Sequence, residues 1–171
     1  SMHENTTHLK SLIKSINNNK SGDHEMTIIG QSMGGVIARM ALAELEDEGY
    51  DHQTGLYVSF DAPHKGANIP KGIQTFAEDF VEVDAVRELD EMYTLWDLLI
   101  NIFTFGNVDL PNPDDVFLGA LHSFAAQQML IYNTQHTDND NKFAELQDDL
   151  NDLGYPQKSK NIALINGNNR G

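Results

Sequence analysis

Cysteine is absent from all 171 residues. A disulfide framework and a cysteine nucleophile are therefore excluded, and the absence fits a bacterial cytoplasmic or a bacterial secreted protein equally, leaving the compartment open. Long apolar runs are also missing, and no stretch has the length and apolarity of a membrane-spanning helix, so no stable membrane insertion is expected. Basic residues are scarce: 11 Lys and Arg stand against 26 Asp and Glu, a formal net charge of −15. Such a surface repels nucleic acid and anionic lipid headgroups, which excludes nucleic-acid partners. The acidic groups around Glu44–Glu48, Glu88–Glu91 and Asp148–Asp152 read as solvated helix faces. There is no calcium-loop pattern, no H-E-x-x-H and no G-x-G-x-x-G, so neither a metal nor a cofactor is expected.

What is present is an alternation of short β-branched runs with amphipathic segments. Helical spacing covers Thr7–Asn19, with Leu9, Leu12, Ile13 and Ile16 on one face, and the Asn17–Gly22 stretch stops it. Glu25–Gly30 reads as a buried strand, Met33 to about Glu48 as a helix stopped by Gly49, and Gly55–Phe60 as a second strand. Pro63, Gly66, Pro70 and Gly72 mark a loop. Helices are expected over Ile73–Phe80, Val83–Phe103, Asp114 to about Tyr132, and Asn139–Leu153, and a third strand over Lys160–Gly167. Strands alternating with helices predict the α/β class: a parallel sheet with helices on both faces. His3, His8, His24 and His52 are expected at the surface, and His122 and His136 at surface or packing positions.

The most informative stretch is Gly30-Gln31-Ser32-Met33-Gly34-Gly35, between the first strand and the helix that follows. A Gly-x-Ser-x-Gly at such a junction can force the serine into a sparsely allowed backbone conformation with its hydroxyl exposed. The glycines let strand and helix pass close together. The N–H of Met33, at the helix N-terminus, can then face an oxyanion. The competing reading is a Gly-rich turn with a solvated serine. A phosphate-cradling loop fits poorly, because no lysine follows the glycines.

This stretch resembles the nucleophile elbow of the α/β-hydrolase superfamily, in its bacterial lipase- and esterase-like members. After the second strand, Asp61-Ala62-Pro63-His64-Lys65-Gly66-Ala67 is similar to the Pro-His-x-Gly segment of those proteins. The resemblance covers about Met26 to Pro70, and Ile162–Gly167 resembles the next core strand. It implies a partial α/β-hydrolase domain with its core in 1–70 and 159–171 and a helical lid insertion over about 71–158. Within the lid, Thr94–Phe105 is apolar nearly all round, either a buried helix or an acyl-binding wall.

The resemblance further implies a serine hydrolase that cleaves carboxylic, lipidic esters, with Ser32 as nucleophile and Met33 N–H in the oxyanion hole. Asp61 is the best candidate acid and His64 a weaker candidate base, a residue that in this segment more often fixes the loop. No acid or histidine follows Asn161, where the superfamily places them. The chain is therefore expected to be the middle of a larger hydrolase, inactive by itself, with the elbow strand as an exposed edge that pairs with another copy. The alternative is a non-catalytic pseudo-hydrolase or an interaction domain with an apolar groove. Acyltransferase, thioesterase and amidase chemistry share the same motif.

Overall fold

The computed structural model describes residues 1–72, 74–75, 123–132 and 141–165. The chain divides into two compact units, residues 1–65 with 144–171 and residues 66–143. The first holds helix α1 (Met2–Asn19), strand β1 (Met26–Gln31), helix α2 (Met33–Asp47), strand β2 (Thr54–Phe60) and strand β3 (Lys160–Leu164). The second holds α3 (Phe124–Met129), and α4 (Lys142–Leu153) runs across the boundary into the first.

β1, β2 and β3 form a parallel sheet in that order. Alternation decides which side chains face inward. Met26 and Ile28 of β1 and Tyr57 of β2 turn toward the helices, and Ile28 lies opposite Tyr57 in the ladder. There they meet a core of Ile13 from α1 and Ala38, Ala41, Leu42 and Leu45 from α2. On the other face Ile29 is 70% exposed. The parallel sheet with packed helices agrees with the expected class; the helix expected over 83–103 falls outside the described residues, as does most of that expected over 73–80.

Four local differences from the sequence expectations have physical causes. α1 starts at Met2 rather than Thr7, because Ser1 and Glu4 form a capping box in which Ser1 Oγ accepts the Glu4 N–H. β1 and β2 begin or end a residue away from the expected limits, the usual scale of boundary error, and β3 ends at Leu164, short of the expected Gly167. His52 is buried at 1% exposure rather than at the surface. Finally, of the helix expected from Asp114 to Tyr132 the described part, residues 123–132, is helical only over α3. Ser123 has extended backbone and caps α3, and Leu130 is extended again at its other end. In that second unit Ala67 forms a parallel bridge to Leu130, and the buried Gln74 donates to the carbonyls of Ile69 and Tyr132, 2.7 Å each.

The burial of His52 follows from Glu46, near the end of α2. Glu46 accepts the N–H groups of Gln157 (2.7 Å) and Lys158 (2.8 Å) and the Nε2–H of His52 (3.0 Å). The Nδ1 of His52 accepts the Thr54 N–H at 3.1 Å, which fixes the ring as the Nε2–H tautomer. One carboxylate thus ties α2 to the starts of both β2 and β3. Burial alone would raise its pKa, but these donors outweigh burial and hold the carboxyl below its ordinary range. Its stabilising effect is therefore present above the unfolded carboxylate pKa and lost as pH falls through the lower, folded one. Glu46→Ala is expected to lower the unfolding free energy by about 2 kcal/mol at neutral pH. Urea denaturation checks this, and the difference from the unsubstituted chain should shrink in acid.

Candidate active site

β1 ends at Gln31 and α2 begins at Met33, so a single residue makes the turn. Ser32 does so at φ +49°, ψ −126°, a backbone region that side-chain-bearing residues rarely enter. Holding a non-glycine residue there costs about 1–3 kcal/mol, so its neighbours must over-determine it. They do. The Ser32 N–H donates to the Phe60 carbonyl at 2.9 Å, and its own carbonyl accepts the Gly35 N–H at 3.0 Å. The hydroxyl makes no capping hydrogen bond to the helix and is left partly exposed.

The glycines on either side are required by contact. A Cβ on Gly30 would lie 2.5 Å from the Gly34 carbonyl oxygen, and one on Gly35 would lie 2.5 Å from the Cβ of Ala62. The obstacle at Gly30 is backbone, which cannot rotate away. Met33 is the first residue of α2, where the N–H has no carbonyl four residues back to bond.

Asp61 is the residue after β2, as Ser32 is the residue after β1. Gln31 and Phe60 pair in the ladder, so Ser32 and Asp61 leave adjacent strands at the same level. Asp61 also has positive φ, +47°, and its N–H donates to the Leu164 carbonyl of β3 at 2.7 Å. Its carboxylate is exposed. Ser32, Met33 and Asp61 are therefore brought together at the carboxyl ends of the strands, the end where open α/β sheets bind ligands.

His64 is close in sequence but engaged elsewhere. Its Nε2 is 2.7 Å from the Oγ of Ser59, which is 4% exposed and lies on the α2 side of the sheet. The other ring nitrogen, Nδ1, is buried and has no partner among the described residues. Burial, with a smaller contribution from the Arg39 charge, lowers the pKa of His64 to about 4. A serine–histidine pair in a triad needs an accessible hydroxyl and a carboxylate behind the ring; Ser59 is buried, and among the described residues no carboxylate bonds His64. His3, His8 and His24 are exposed, and His122 and His136 lie outside the described residues.

Two residues that composition and motif did not single out complete the surroundings. Arg39, in the middle of α2, is 4% exposed. Its guanidinium donates to the carbonyls of Gly154 (2.6 Å) and Leu150, at the end of α4, and stacks 3.8 Å from the Tyr155 ring centroid. A cation suits that place because the end of a helix carries partial negative charge. Tyr155 in turn meets His64 edge-on at 5.7 Å. The available signal was one arginine inside an otherwise apolar stretch, Val36-Ile37-Ala38-Arg39-Met40-Ala41.

Among the described residues no group of His, Asp and Glu is placed to hold a metal ion, and no helix is long and apolar enough to cross a membrane. A cavity of about 370 Å³ lined by His3, Glu44, Asp47 and Asp149 lies toward the other end of α2, away from Ser32.

A three-stranded parallel sheet with packed helices is consistent with a partial fold of the α/β-hydrolase type. The model of the PGAP1-like alpha/beta domain matches residues 1–116, more than half of the chain, and the chain belongs to that family. Comparison with curated proteins and with solved structures returned no match.

Two measurements check this geometry. Gly30→Ala is expected to destabilise the fold by about 1–3 kcal/mol, read by thermal or urea unfolding. The depressed pKa of His64 means that the unfolded chain binds a proton that the folded one does not between about pH 6.5 and about 4. Stability should fall as pH is lowered through that window, and His64→Gln should flatten the fall.

Proposed function

We propose that this protein is a serine hydrolase that cleaves carboxylic esters of lipids. Ser32 attacks the ester carbonyl, and the Met33 N–H stabilises the tetrahedral oxyanion. Asp61 orients a histidine that lies outside the described residues, and that histidine takes the Ser32 proton and returns it to the leaving alcohol. The acyl-enzyme is then hydrolysed by water activated in the same way.

The observation that carries this proposal is the backbone of Ser32. A non-glycine residue at φ +49°, between strand and helix, is strained. Strain of that kind clusters at functional sites, and the hydroxyl makes no capping hydrogen bond to the helix that follows. The family match supports hydrolase-type chemistry, and the lipidic ester follows from the resemblance of the elbow and the Pro-His-x-Gly segment. One observation favours a non-catalytic module instead: the only histidine beside the site among the described residues is committed to Ser59.

Capture by a fluorophosphonate separates the two. The unsubstituted protein should form one covalent adduct at Ser32, located by peptide mass spectrometry, and Ser32→Ala should form none. Asp61→Asn should slow capture by at least about tenfold, as expected when a triad loses its orienting charge. Equal labelling of the protein and of Ser32→Ala would exclude Ser32 as the nucleophile.

A further inference from the structure

Among the described residues the turn that carries Asp61 has few backbone bonds to define it. Between Asp61 and Lys65 they are the Asp61 N–H to the Leu164 carbonyl, and the His64 N–H to the Ala62 carbonyl at 2.9 Å. Asp61 nonetheless sits at φ +47°, which an unsupported turn would relax. The additional restraint is a side chain. His64 folds back five residues to the hydroxyl of Ser59, on the buried side of β2.

This closes the turn over Ala62, and Ala62 is the residue that presses on Gly35. A Cβ on Gly35 would meet Ala62 Cβ at 2.5 Å and Ser59 Oγ at 3.1 Å, so the turn rests directly on the first turn of α2. Behind the His64 ring lies Tyr155, and beneath Tyr155 lies Arg39 of the same helix. The ring is therefore held between β2 and a stack anchored on α2, the helix that begins at Ser32.

We propose that the Ser59–His64 hydrogen bond positions the turn after β2 and so fixes where the Asp61 carboxylate stands relative to the Ser32 hydroxyl. His64 is then a positioning residue, not a base. This rests on reading Ser32 and Asp61 as nucleophile and acid. The low pKa of His64 is consistent with it, since the ring stays neutral and keeps its bond to Ser59 across the range in which a hydrolase would be assayed. The Nδ1 fits as well: among the described residues no carboxylate bonds it as one bonds a triad histidine.

The test uses His64→Ala, Ser59→Ala, the double variant and His64→Gln, whose amide can reach the Ser59 hydroxyl as the imidazole Nε2 does. Amide exchange is followed at Asp61 and Ser32, and at Met26, whose N–H donates to the Gln53 carbonyl at the far end of β1. In His64→Ala and Ser59→Ala, exchange at Asp61 and Ser32 should quicken by about tenfold, the worth of one hydrogen bond, with Met26 unchanged. Fluorophosphonate capture of Ser32 should slow by about the same factor in each single variant and no further in the double one. His64→Gln should restore both readouts to within about threefold of the unsubstituted protein.

Unchanged exchange at Asp61 and Ser32 in His64→Ala overturns the proposal. So does His64→Gln as impaired as His64→Ala, and so does an equal quickening at Met26, which would mean general loosening of the fold. If the unsubstituted protein is not captured at all, the nucleophile assignment fails separately, and exchange alone still decides whether the turn is held by this bond.

Discussion

At their junction β1 and α2 approach so closely that a methyl group on Gly30 would strike the α2 backbone, and one on Gly35 would strike Ala62 of the turn after β2. Gly30 and Gly35 permit this contact, and the remaining geometry follows from it. A strand and a helix joined by one residue must reverse direction within that residue, and Ser32 absorbs the reversal at positive φ. The parallel register then places the residue after β2 beside it. Nucleophile, oxyanion donor and acid in the proposed mechanism are thus consequences of one close crossing.

Much of this was legible in the sequence because it depends on local signals. The β-branched run Met26–Ile29, the two glycines around Ser32 and the apolar periodicity of Val36–Leu45 each act within a few residues. Together they are enough to specify strand, turn and helix. The level at which Asp61 stands was also legible, since it follows the next strand directly. The start of α1 had a local signal too, Ser1-x-x-Glu4, but the helix was read from the apolar periodicity that begins further along.

What was not legible depends on partners distant in sequence. His52 looks like a surface histidine in a polar turn, and Asn17 of α1, donating to the His52 carbonyl, helps with the nearer Glu46 and Thr54 to bring it inside. Arg39 looks like the solvent face of α2. It is buried because the carbonyls at the end of α4 and the ring of Tyr155 meet it, and α4 lies more than a hundred residues along the chain. The start of α3 after Ser123 was hidden for a different reason. A serine within a run of helix formers can cap a new helix or continue the old one, and propensity alone does not choose.

α2 is gripped at both ends by groups whose behaviour depends on protons. At its beginning the neutral imidazole of His64 keeps the neighbouring turn in place; toward its end the ionised carboxylate of Glu46 gathers three donors. The two side chains carry opposite kinds of ionisation, yet a rise in acidity weakens both, one by gaining a charge in a buried place and the other by losing a charge its donors need. Acid therefore loosens the helix from its two extremities together, and the serine it presents shares that fate.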